Sequence, residues 1–160
     1  MAAEPMSGKL TAEVELHGPP AKFYNVFRKT AHHIPTHTPS HIQAVQVHDG
    51  DWESHGCIKF WIYTCEGKIE VFKEKVEFDD AKKTVKLNGL EGDVMKIYKV
   101  YNPIFEFVAE AGAGGKQGVA KLAIEYEKLD PSFPPPTKYM DFMIGLTKEV
   151  DAGIVKAALD

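Results

Sequence analysis

Four residues of this chain have side chains suited to moving a proton in an apolar setting: Lys59, Tyr63, Glu70 and His33. Lys59 and Tyr63 share one parity of a period-two stretch, and Glu70 follows across a Glu66-Gly67 turn. A buried lysine beside a tyrosine or carboxylate titrates far from its ordinary value, so such a group could do acid–base work without a metal. Glu91 is a further polar candidate. The plainer reading leaves these charges at a rim, facing water. His33 belongs to a crowded set with His32, His37 and His41. A metal centre needs two or three ligands converging, commonly at i and i+4 of an unbroken helix. Pro35 and Pro39 interrupt this stretch, and no cysteine or second carboxylate joins it, so no metal is expected. The histidines then read as solvated or rim groups, with one at a pocket mouth as a proton shuttle left open.

The glycine-rich stretch Ala111–Gly118 resembles a nucleotide loop only superficially. The phosphate-loop pattern would need glycine at Glu110 and serine or threonine at Gln117, and the dinucleotide fingerprint would need glycine at Gln117. A strand follows where a helix should, so the stretch is a hairpin loop and no cofactor is expected.

The elements that must position these groups follow from periodicity. Leu10, Ala12, Val14 and Leu16 alternate with polar residues in a half-buried strand, Lys9–Leu16. Gly18-Pro19-Pro20 ends it and suits a helix start. The helix Ala21–Thr30 gathers Phe23, Val26 and Phe27 on one face, and a second short helical piece spans His32–His37. Strands are predicted at Ile42–His48, Cys57–Tyr63, Lys68–Phe78, Thr84–Leu90, Val94–Glu110 and Val119–Leu129. Beyond Pro131–Pro136, Tyr139, Phe142, Met143, Leu146, Val150 and Ile154 recur at helical spacing. A helix with one apolar stripe must lie on something apolar, and the sheet is the available partner. The fold class is therefore α+β, a helix grip in one domain over 1–160: a curved, seven-stranded antiparallel sheet around the long C-terminal helix, with two short helices after the first strand.

Composition narrows the function. The formal charge of −4 spreads 19 basic among 23 acidic residues, without the basic clusters that a phosphate backbone requires, so no nucleic-acid partner is expected. No stretch approaches the roughly 20 apolar residues of a membrane span. Cys57 and Cys65 lie eight residues apart along an extended stretch, roughly 26 Å at strand rise, too far for a disulfide. Free thiols, and an MAAEPMSGKL terminus without a secretion signal, suit a cytoplasmic protein. A monomer, or at most a weak dimer, is expected.

The segments HIQAVQVHDGDWESHGCIKFW, EVFKEKVEFDD and GLEGDVMKIYK, with the late AIEYEKL, resemble the major latex proteins of the Bet v I-type superfamily, which includes pathogenesis-related class 10 proteins. The resemblance covers nearly the whole chain. Where class 10 proteins carry a glycine-dense loop, Gly50–Gly56 has two glycines and two acids, as in the latex branch. The resemblance implies a START-like fold enclosing an apolar cavity, with the Cys57, Lys59, Trp61 and Tyr63 face turned inward. Aromatic residues that would otherwise read as core then divide between core and cavity wall. Wall candidates are Phe27, Trp61, Phe72, Tyr101, Phe105 and Phe142, with Leu87, Met143, Leu146 and His32.

The implied function is binding of a small hydrophobic plant metabolite of terpenoid, steroid, phenolic or alkaloid type, as a carrier or defence-related protein. The alternative is a cofactor-independent cyclase or isomerase, with Tyr63, His33, Lys59 and Glu70 moving protons. A third reading is a hormone-responsive regulator gated at His55–Gly56, at a Gly89–Gly92 loop and at the start of the last helix. The acidic balance argues against ribonuclease activity.

Overall fold

The computed structural model describes residues 5–159; Asp160 and the first four residues of the terminus read above for a secretion signal lie outside it. Seven strands pair antiparallel in the order β1-β7-β6-β5-β4-β3-β2. They are β1 Ser7–Leu16, β2 Ile42–Asp49, β3 Ile58–Cys65, β4 Lys68–Asp79, β5 Thr84–Gly92, β6 Tyr98–Ala109 and β7 Gly118–Lys128. Helices α1 (Pro20–Arg28) and α2 (Ile34–His37) join the two edge strands, and α3 (Thr137–Leu159) closes the chain. Among the described residues no helix is long and apolar enough to cross a membrane.

Proline placement explains the helical segment. Pro20 opens α1, where a missing N–H costs nothing. The second piece splits into a tight 3₁₀ turn, Ala31–His33, and the single turn of α2 around Pro35. The β3–β4 hairpin turns on Glu66 and Gly67, both at positive φ (51° and 77°), which matches the twist of the flanking strands. Its register sets Cys65 opposite Lys68 and Tyr63 opposite Glu70.

Two predicted stretches are corrected. The strand expected from Val94 begins at Tyr98, because Asp93–Lys96 forms a 3₁₀ turn. Asp93 anchors that turn by accepting the Val71 N–H at 2.8 Å. The Gly89–Gly92 stretch, expected as a loop, is the end of β5 and pairs with β4 across a bulge at Lys73/Glu74. Gly92 stands there at φ 131°, and a Cβ would strike the Val71 carbonyl oxygen. Beyond Lys86, β5 leaves β6: pairing covers only Thr84–Lys86 against Ile104–Glu106. The Asn102 side chain accepts the Gly89 N–H at 3.2 Å across the opening.

Helix α3 lies on the sheet by its apolar stripe, burying Met140, Met143, Leu146, Val150 and Ile154. Its far end is fixed by charge: the buried Asp151 carboxylate accepts the backbone N–H groups of His17 and Gly18 at 2.9 Å each. Burial alternates along β3 as the resemblance implied, with Lys59, Trp61, Tyr63 and Cys65 inward. Cys57 and Cys65 are buried free thiols.

Candidate functional site

Between α3 and the sheet lies a cavity of about 70 Å³. One water needs roughly 10–15 Å³ of such space, so the cavity has room for a small guest before any side chain moves. Phe27 from α1 and Tyr139, Phe142, Met143 and Leu146 from α3 form the helical wall. Trp61 and Tyr63 of β3, Phe72 of β4, Leu87 of β5, and Tyr101 and Phe105 of β6 form the sheet wall. Every residue read as cavity wall therefore lines it, except His32.

The corrections concern the polar candidates. His32 and His33 are exposed, their rings packed against each other at 4.2 Å, with His32 also on Trp52 at 4.8 Å. The 3₁₀ turn that carries them buries Ala31 instead, and the buried Ile34 that follows reaches the wall in their place. The four clustered histidines diverge: His41 meets Glu149 at 3.3 Å, while His37 packs against Gly153. No group of residues able to hold a metal occurs among the described residues.

Lys59 is 2% exposed, so the rim reading does not hold for it, yet it is not on the wall. Its ammonium lies over the rings of Phe78 (5.6 Å) and Trp52 (5.8 Å), where a desolvated cation gains from the π faces. Burial lowers the Lys59 pKa against the opposing pull of Cys57 and Glu74. Glu91 is exposed, as the rim reading has it.

Glu70 is also buried behind the wall. It accepts hydrogen bonds from the hydroxyls of Tyr63 and Tyr139, both at 2.9 Å, and so ties the start of α3 to β3 and β4. Burial, first of all, raises the pKa of both tyrosines, with Glu70 contributing. These hydroxyls are neutral hydrogen-bond donors held in place. Glu70→Ala strands both. At about 1–3 kcal/mol for each of the two buried groups left unpaired, we expect a loss of about 2–6 kcal/mol in urea unfolding. Glu70→Gln, which keeps one carbonyl acceptor, should lose about half of that.

Glu74 was missed. It stands two residues beyond Phe72 in β4, on the same inward parity, a signal already present in the alternation. Its carboxylate is completely buried on the cavity wall. Trp61 Nε1 donates to Oε1 as a diagonal cross-strand neighbour, and Oε2 has no hydrogen-bond partner among the described residues. Burial pushes the Glu74 pKa up to about 8, with Lys59 across the strand pulling the other way. Both members of the pair thus shift toward neutrality, because desolvation outweighs their attraction. Tyr139, Ile42 and Pro103 complete the wall and were likewise not foreseen.

The comparisons agree with this architecture. A profile of the pathogenesis-related protein Bet v 1 family matches residues 5–157. MLP-like protein 328 of Arabidopsis thaliana is 42% identical over 151 residues, covering 94% of this chain and 98% of that protein. MLP-like protein 329 of the same plant is 40% identical over the same shares. Among solved structures, ginseng major latex-like protein 151 from Panax ginseng superposes with a TM-score of 0.85 at 27% identity, covering 92% of this chain and 97% of that one.

Proposed function

Because this chain belongs to the pathogenesis-related protein Bet v 1 family, and within it to the major latex proteins, we propose that it binds a small hydrophobic plant metabolite in the cavity beneath α3. It does so as a monomeric cytoplasmic carrier. The observation that carries this reading is the wall itself: aromatic and aliphatic side chains from both layers converge on space that they do not fill. Such a lining with few polar groups favours apolar guests. At its present size the cavity takes a small guest; a larger one requires Phe142, Met143 or Leu146 to turn aside on α3.

The proton-transfer alternative loses three of its four residues, since His33 is exposed and Lys59 and Glu70 lie off the wall. Binding is therefore the better-supported reading. The test is titration with aminoanthracene, an apolar fluorophore, against the wild type and Leu146→Trp, which fills the cavity. We expect one saturable site in the wild type and a loss of affinity of about tenfold or more in the folded variant. Equal binding by both would move the site elsewhere.

A further inference from the structure

Besides its tyrosine hydroxyls the wall carries one ionisable side chain, Glu74, whose Oε1 is held by Trp61 while the buried Oε2 has no hydrogen-bond partner among the described residues. The tyrosine hydroxyls of the wall do not answer it: Tyr63 and Tyr139 direct their protons to Glu70, and Tyr101 makes no hydrogen bond to it. A buried polar atom left without a partner is rare in a folded protein and points to something that completes it. We infer that Glu74 is the polar anchor of the cavity, and that the ligand is an apolar molecule carrying a hydroxyl, seated on Oε2 while Trp61 holds Oε1. This rests on the cavity-binding reading above.

The choice of a hydroxyl follows from the hydrogen-bond inventory. The Trp61 N–H can only donate, so Oε1 must accept. When Glu74 is neutral, its proton therefore sits on Oε2 and needs an acceptor; when Glu74 is ionised, Oε2 needs a donor. A hydroxyl is both. An ether or ketone serves only the neutral form. An ammonium serves only the ionised form, and it would approach Lys59, the cross-strand neighbour of Glu74. A carboxylate would meet the Glu74 carboxyl itself. The hydroxyl end should therefore lie toward β3 and β4, with the apolar body under Met143 and Leu146.

The experiment compares β-naphthol with β-methylnaphthalene, which have nearly the same shape but differ in carrying hydroxyl or methyl. Dissociation constants are measured for the wild type and for Glu74→Met, which keeps the volume and removes the carboxyl. The ratio of the two constants is judged against the water-to-hydrocarbon partitioning of the same compounds. In the wild type, naphthol should bind at least about tenfold better than partitioning alone allows, and Glu74→Met should lose that excess. If the variant does not fold, the indole N–H resonance of Trp61, bonded to Oε1, is read in the wild type instead: naphthol at saturation should shift it well beyond methylnaphthalene, and equal shifts overturn the anchor. A wild-type ratio equal to partitioning overturns the anchor and leaves the cavity reading intact. An excess that survives in folded Glu74→Met also overturns it, by placing the hydroxyl elsewhere. Failure of the reading beneath it looks different: neither probe binds.

Discussion

Trp61→Ala will lower the free energy of unfolding by about 3–5 kcal/mol, the usual range for emptying a large aromatic site in a core. The ring is 6% exposed and spans the wall from β3, so its removal enlarges the cavity, and its lining loses contacts that nothing replaces. It also strips Glu74 of the one hydrogen bond it has among the described residues, leaving both carboxyl oxygens bare in an apolar setting. Affinity for aminoanthracene falls in parallel. Trp61→Phe separates the two effects, since it restores most of the packing without the N–H. Its stability should lie between those of the wild type and the alanine variant. Urea unfolding and probe titration of the three proteins check this, and unchanged probe affinity in Trp61→Ala would remove the residue from the wall.

Glu74→Gln will stabilise the protein relative to wild type above neutral pH. The folded-state pKa of Glu74, pushed up to about 8, stands above its ordinary value of 4.5. Between those values the folded protein holds a proton that the unfolded chain has released. Wild-type stability from this group is therefore complete below 4.5, falls as pH rises through the window, and levels off above about 8. One pH unit corresponds to about 1.4 kcal/mol, so the whole window is on the order of 5 kcal/mol. Lys59 has the opposite sign: its lowered pKa makes the folded protein bind fewer protons than the unfolded chain, so its share of stability is regained as pH rises toward its ordinary 10.5. Subtracting the wild-type curve from the Glu74→Gln curve removes most of this background. The difference should grow with pH up to about pH 8 and then flatten. A flat difference throughout would mean that Glu74 is solvated and ionised in the folded state.

Much of this architecture was legible in the sequence because period-two and helical alternation report burial directly. The apolar stripe of α3 was visible this way, whereas the inward face of β3 followed from the resemblance to the major latex proteins; Trp61, Met143 and Leu146 from these elements line the cavity. The errors share a physical cause. Backbone irregularities set by tertiary contacts leave little periodic trace, so the 3₁₀ turn at Asp93, fixed by the Val71 N–H, was read as strand. A 3₁₀ turn also rotates its side chains differently from an α-helix, and this is what carried His32 and His33 out to solvent. Charge misled in both directions. Lys59 was read as either cavity handle or rim group, but it lies under two aromatic rings. Glu74 drew no role from the sequence, although its parity matches that of Phe72, Val76 and Phe78.

The central claim is that the space beneath α3 receives the ligand, and methyl-detected NMR of the protein saturated with aminoanthracene addresses it most directly. Ring currents of a bound aromatic probe shift only the methyl groups near it. The predicted result is large shifts at Met143, Leu146 and Leu87, all on the wall, with none at the exposed Met6. Shifts confined to surface methyl groups, with those three unmoved at saturation, would contradict it.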